Sequence, residues 1–296
     1  MKILLIFGTR PEAIKMAPVY RVLVQRYGAS LIRVCVTAQH REMLDQVLEL
    51  FSITPDYDLN VMEKNQSLEA LTIKLIHGLS NVFDEWRPEL VLVQGDTTTA
   101  FVGALTAFYK HIRVGHIEAG LRSGNIYAPW PEEMNRKMIS QVAEMHFPPT
   151  LESKNNLLSE GVDPLQVFVT GNTVIDALFM VIDQINSDKK IHSKLARQFP
   201  FLKEDKRCIL VTGHRRENFN GGIEGVCRAL KELSKRDDVQ IVYPVHLNPN
   251  VVNPVTKMIG GMENIHLIKP QDYLPFVFLM KQSYLIISDS GGIQEE

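Results

Sequence analysis

Short, unbroken apolar runs recur along the first half of the chain, at residues 2–7, 31–37, 89–94, 114–118, 145–147 and 167–170, and longer polar-faced stretches separate them. The first run, Lys2-Ile3-Leu4-Leu5-Ile6-Phe7, carries no polar side chain after Lys2. A strand that faces water on one side alternates apolar with polar residues. A run apolar at successive positions is buried on both faces, which is the situation of a strand in a parallel sheet. Helical patterns at 40–51 and 67–86 occupy two of the gaps. Strand, helix and strand in succession make βαβ units, so the expected fold class is α/β with doubly wound, Rossmann-like sheets.

A lysine-rich stretch at 187–207 breaks this rhythm and reads as a surface connection. The pattern then restarts, with strands expected at 208–212, 240–245, 265–268 and 284–288. The two arrays share no sequence repeat. We expect two Rossmann-like domains, residues 1–171 and 172–296. Four strands are few for a doubly wound unit, and the last residues fall where a helix should be starting, so the second domain is expected to be truncated at its C-terminus.

A chain of 296 residues accommodates two ordinary domains. Its net charge of −2 supplies no broad electrostatic footprint, so no nucleic-acid partner is expected and any anionic ligand needs a local site. No run approaches the roughly 18 apolar residues of a membrane-spanning helix, and no membrane partner is expected. The amino-terminal apolar run is too short for a secretion signal, and Gly8-Thr9-Arg10-Pro11-Glu12 follows it in place of a cleavage site. The three cysteines, Cys35, Cys208 and Cys227, are odd in number and far apart. They read as buried free thiols in a reducing, cytoplasmic setting. The nine histidines show no HExxH spacing and the cysteines no CxxC. His116 and Glu118 share one strand face without an evident third ligand, so no metal site is expected.

Ligands of open α/β sheets sit beyond the carboxyl ends of the strands. The first such end runs into Gly8-Thr9-Arg10-Pro11-Glu12-Ala13-Ile14-Lys15. Glycine permits close backbone approach, proline suits a first helical turn, and the helix amino end with Arg10 and Lys15 favours an anion. The segment is neither GxGxxG nor a Walker A sequence, which removes support from the usual dinucleotide and P-loop readings. A second strand end carries Gln94-Gly95-Asp96-Thr97, where Asp96 either faces a ligand or caps the following helix. A third carries Glu118, and Pro131-Glu132-Glu133 opens a helix soon after. Three carboxylates at one sheet edge suit proton transfer, which needs positioned acids and bases. In the second array, Gly213-His214-Arg215-Arg216-Glu217 reads as an anion and acid–base site, and Asp289-Ser290-Gly291-Gly292 as a phosphate cradle. Its likeness to the GDSGG of trypsin-like proteases is rejected, because the surroundings are parallel α/β.

Taken together, these segments resemble a known family. Phe-Gly-Thr-Arg-Pro-Glu-Ala-Ile-Lys at 7–15, Thr-Ala-Gln-His-Arg-Glu-Met-Leu-Asp-Gln at 37–46, Gly-Asp-Thr-Thr-Thr at 95–99 and Gly-His-Ile-Glu-Ala-Gly-Leu-Arg at 115–122 are similar to motifs of the bacterial non-hydrolysing UDP-N-acetylglucosamine 2-epimerases. So are Gly-Asn-Thr-Val-Ile-Asp at 171–176, Gly-His-Arg-Arg-Glu-Asn at 213–218 and Asp-Ser-Gly-Gly-Ile-Gln-Glu-Glu at 289–296. The resemblance implies a glycosyltransferase-B type fold with its site between the domains. It implies interconversion of UDP-GlcNAc and UDP-ManNAc by elimination and re-addition of UDP through 2-acetamidoglucal, supplying ManNAc units for cell-surface polysaccharide, with neither cofactor nor metal. Carried over by position, Asp96, Glu118, Glu132 and His214 match catalytic residues. Arg10, Lys15, Gln271, Phe276, Ser290, Gly291, Gly292 and Glu296 match UDP-binding positions. Gln39, Arg215, Glu217 and His246 match a second, activating UDP-GlcNAc site of some members. A homodimer is expected. The alternatives are a hydrolysing epimerase that releases UDP and ManNAc, a glycosyltransferase of the same fold, or a chain that binds UDP-GlcNAc without turnover.

Overall fold

The computed structural model describes residues 1–37, 41–63, 66–213 and 221–296. Six parallel strands, β1 (Ile3–Phe7), β2 (Ile32–Val36), β3 (Tyr57–Asp58), β4 (Leu90–Gln94), β5 (Arg113–Ile117) and β6 (Met145–Phe147), form one sheet in the order β3-β2-β1-β4-β5-β6. Helices α1 (Arg10–Tyr27), α2 (Arg41–Leu50), α3 (Leu68–Trp86), α4 (Thr98–Tyr109), α5 (Glu132–Val142) and α6 (Leu151–Ser159) accompany it. The second sheet has β7 (Arg207–Thr212), β8 (Val239–Pro244), β9 (Ile265–Ile268) and β10 (Leu285–Ser288) in the order β10-β7-β8-β9. Its helices are α7 (Thr173–Ser187), α8 (Lys189–Gln198), α9 (Gly222–Leu233), α10 (Pro249–Ile259), α11 (Tyr273–Gln282) and the short α12 (Gly291–Glu295). The chain divides into two compact units, Met1–Ala177 and Leu178–Glu296, so the division falls within α7.

Both sheets show the reversal of direction that defines a doubly wound fold. The chain steps outward from β1 through β2 to β3, then returns to place β4 on the other side of β1. In the second unit it steps from β7 to β9 and returns with β10 beside β7. At each reversal the helices leave on opposite faces, and a crevice opens beyond the strand ends. The apolar runs account for the core: every residue of β1 and of β4 is buried. Leu75, Leu79 and Phe83 of α3 close over Val91 and Val93, together with the small-residue helix α4. A fully buried side chain of this kind contributes about 1.5–3 kcal/mol. In the second unit Ile209, Val211, Cys227, Leu230, Ile241 and Tyr243 do the same.

Two expectations need correction, and one open alternative closes. Residues 167–170 do not form a strand: a single bridge joins Val167 to His146, and Phe168 and Val169 stay exposed. The neighbouring strand β6 is only three residues long, so it offers a short ladder. The lysine-rich stretch contains α8, whose amino end Asp188 caps by accepting from the backbone of Lys190 and Ile191, while Leu195 is buried. Its charges lie on a solvated face and do not mark a linker. The α4 cap is Thr97, whose hydroxyl accepts from Ala100 N at 3.0 Å, which leaves the Asp96 carboxylate for other work. The three cysteines are buried and free, as expected. No helix among the described residues is long and apolar enough to cross a membrane.

Candidate active site

The β1–α1 and β4–α4 turns meet at the first unit's reversal point, where they line a cavity of about 290 Å³ with the residues that follow β5. Thr9, Glu12 and Lys15 come from the first turn, Gln94, Asp96 and Thr97 from the second, Glu118 from the end of β5 and Arg136 from α5. Gly8 allows the first turn to lie so close: a Cβ there would sit 2.1 Å from Thr37 Oγ1 and 2.8 Å from Thr99 Oγ1.

Glu12 knits the two turns together. Its carboxylate accepts from Gly8 N at 3.1 Å, Thr9 N at 2.8 Å, and the hydroxyls of Thr9 and Thr97, each at 2.7 Å. With Thr9 it forms the capping box of α1. Burial pushes its pKa up, and the hydrogen bonds from Thr97, Thr9 and Gly8 oppose that shift.

Glu118 leaves β5 with a φ of 61°, a left-handed conformation uncommon for a residue with a side chain. Its amide is anchored on Phe147 O at 3.0 Å. Such strain persists where surrounding contacts over-determine it, and it clusters at functional sites. The turn aims the carboxylate at Lys15, whose ammonium lies 2.6 and 2.7 Å from its two oxygens. The Gln94 side-chain amide donates to the same carboxylate. The pair is largely shielded from solvent, which makes the interaction stronger than a surface salt bridge.

Asp96 is held from α5. Arg136 donates through Nε at 2.8 Å and approaches the same oxygen through Nη2 at 2.6 Å. The Asn135 amide donates to Asp96 O at 2.8 Å. Arg136 is itself fixed by Glu133, which is fully buried and also accepts from the backbone of Ser123 and Gly124. Glu132 opens α5 one turn before Asn135 and Arg136, hence on the same helix face. Its Oε2 is buried without a hydrogen-bond partner among the described residues, and the side chain stands outside the cavity lining.

Lys15, Asp96 and Glu118 therefore come together, while Arg10 starts α1 at the same edge, half-buried, without lining the cavity. In the second unit the expected residues follow the carboxyl ends of its strands. Gln271 follows β9 and bridges the Gln198 amide and Lys269 O. Phe276 lies in α11. Ser290 precedes α12, which contains Gly291 and Gly292, and Glu296 follows it. Their neighbourhood is tied together by Thr212 Oγ1 and Ser288 Oγ at 2.7 Å, and by Tyr243 donating to Gly213 O at 2.8 Å. His246 follows β8, exposed, and its Nδ1 accepts from Asn248 N at 3.1 Å, so it is no core histidine. Gln39, His214, Arg215 and Glu217 lie outside the described residues.

Sequence reasoning missed Glu12, Gln94, Glu133, Asn135 and Arg136 as parts of the site. The Glu-Asn-Arg spacing of α5 was the available signal, since positions 132, 135 and 136 share a helix face.

Fold and site define a doubly wound α/β protein with ion-paired carboxylates gathered at its first reversal point. Comparison with known proteins supplies the family: the model of UDP-N-acetylglucosamine 2-epimerase matches residues 24–296. UDP-N-acetylglucosamine 2-epimerases of Yersinia pestis and of Escherichia coli K12 are each 56% identical, over all of this chain and 79% of theirs. A crystal structure of the Neisseria meningitidis UDP-GlcNAc 2-epimerase bound to UDP-GlcNAc superimposes with a TM-score of 0.88 at 52% identity, covering 100% of this chain and 80% of that one. The chain belongs to the UDP-N-acetylglucosamine 2-epimerase family, and its two Rossmann-like units are of the glycosyltransferase-B type.

Proposed function

We propose that the protein interconverts UDP-GlcNAc and UDP-ManNAc by reversible elimination of UDP. The observation that carries this reading is the shared cavity in which Glu118, bound to Lys15, and Asp96, bound to Arg136, face one space. Inverting C2 requires that the C2–H proton be taken by a base on one face and that a proton be returned on the other. Between these steps the C1–O bond breaks, its electrons leave with UDP, and the C2–H electrons form the C1–C2 double bond of 2-acetamidoglucal. UDP then re-adds at C1 as C2 is protonated. Asp96, Glu118 and Glu132 supply the acid and base functions, with His214 near the diphosphate. Cations that meet the departing diphosphate stabilise the charge developing on it. Arg10, Lys15, Gln271, Phe276, Ser290, Gly291, Gly292 and Glu296 are the UDP-binding positions.

On this reading the reaction belongs to the cytoplasm, supplies ManNAc units for surface polysaccharide, and is run by a homodimer. Gln39, Arg215, Glu217 and His246 form an activating site for a second UDP-GlcNAc. The test is turnover in D2O followed by NMR: deuterium at C2 of both UDP-sugars is expected. Epimerisation with full retention of the original C2 proton overturns the elimination chemistry, and accumulation of free ManNAc points to the hydrolysing alternative.

A further inference from the structure

His116 occupies a position that packing alone would give to an apolar residue. It stands in the interior of β5 with no solvent exposure. Its Nε2 lies 2.7 Å from Gly95 O, and its Nδ1 has no hydrogen-bond partner among the described residues. An unpaired buried nitrogen costs free energy that leucine or phenylalanine would avoid. What the imidazole gains for this cost is a contact to the turn that carries Asp96.

That turn hangs on β5 by three links. Gln94 donates its amide to Glu118, Gly95 N donates to Ile117 O at 2.9 Å, and Gly95 O meets His116. Gly95 itself has a φ of 69°, so the turn is not an extension of the strand and needs a hold of its own. His116, Ile117 and Glu118 therefore hold Gln94 and Gly95, and Asp96 is the next residue beyond this grip. Burial drives the pKa of His116 down to about 3, with the backbone contact to Gly95 opposing the shift and His146, Arg122 and Arg136 reinforcing it. A neutral ring whose partner is a carbonyl carries its proton on Nε2 and donates it there.

We infer that His116 is a positioning residue for the epimerisation: by donating to Gly95 O it holds the Asp96 turn in register with Glu118. This rests on the proposed role of Asp96 in the reaction. A misplacement of about 1 Å costs on the order of 10²-fold in rate, so removing the donor should lower kcat and spare substrate binding.

His116→Leu removes the donor and fills the space, and His116→Gln restores an amide N–H near the position of Nε2. The expected result is a kcat for H116L lower by about 10–100-fold with KM for UDP-GlcNAc within a few-fold, and recovery of most of the loss in H116Q. H116L with wild-type kcat, in a background where Asp96→Asn abolishes turnover, overturns the inference and leaves the reaction reading intact. If Asp96→Asn itself leaves turnover intact, Asp96 is not a catalytic group and this inference fails with its proposed role. If H116L does not fold, 15N NMR of the ring in the wild-type protein decides. A neutral Nε2–H tautomer throughout pH 5–9 supports positioning, and an Nδ1–H tautomer or a titration near neutrality overturns it.

Discussion

At the residue scale, the proposed chemistry depends on carboxylates whose partners differ. Asp96 is paired with a guanidinium and Glu118 with an ammonium and an amide, while one oxygen of Glu132 has no partner among the described residues. Asp96→Asn, Glu118→Gln and Glu132→Gln keep shape and remove the charge. Each is expected to lower turnover by about 10²–10⁴-fold with modest effect on UDP affinity by calorimetry, and a variant within a few-fold of wild type leaves the list of catalytic groups. The buried histidines set a pH dependence of stability. Burial lowers the pKa of His116, from 6.5 to about 3, and that of His146 as well. Unfolded, both rings take up a proton below about 6.5; folded, they resist it. Their contribution is therefore complete above pH 6.5 and is lost as pH falls toward the folded values. Each contributes a slope of up to about 1.4 kcal/mol per pH unit. Carboxylates such as Glu160, held below 4.5 by Arg122, act only at lower pH, so in the range from 5 to 6.5 the histidines dominate against the opposite slope of Glu12, whose pKa burial raises. Urea unfolding should show a falling free energy over that range, shallower in His146→Gln; a flat profile contradicts the neutral-ring assignment.

At the element scale, the loop between β5 and α5 owes its path to Gly120. Its φ is 85°, and a Cβ would lie 2.2 Å from Ser153 O in the first turn of α6. The Asn156 amide meanwhile donates to Gly120 O at 3.0 Å. Gly120→Ala pits a methyl group against backbone, which cannot rotate away, and adds left-handed strain. We expect about 1–3 kcal/mol of destabilisation from the strain alone, seen as a lower urea midpoint, with turnover reduced because the same loop begins at Glu118. An unchanged midpoint would mean that α6 yields easily. Most elements were readable from periodicity, β1 and α3 most plainly. The exceptions have local causes. The apolar run at 167–170 found only a three-residue neighbour to pair with, and α8 hid its one buried leucine among lysines.

At the scale of the whole molecule, the proposed activating site makes a kinetic prediction. Activation by substrate requires that the second UDP-GlcNAc bind two conformations unequally. A reaction started from UDP-ManNAc alone should lag until trace UDP-GlcNAc is added, and Gln39→Ala should blunt the response. A full initial rate without any response to added UDP-GlcNAc removes the site and leaves His246 and its companions with structural roles. The sequence alone determined the α/β class, the two arrays and the candidate carboxylates Asp96 and Glu118, because burial on both faces and position at a strand end are both written in local pattern. Sequence-distant pairings belong to the tertiary structure: Lys15 with Glu118 across 103 positions, Glu12 with Thr97 across 85, and Asp96 with Arg136 across 40. No periodicity encodes these pairings. They arise because strand order places β1 between β2 and β4, and because closing long loops costs little more entropy than closing short ones. Buried polar groups then take whichever partners the sheet brings within reach.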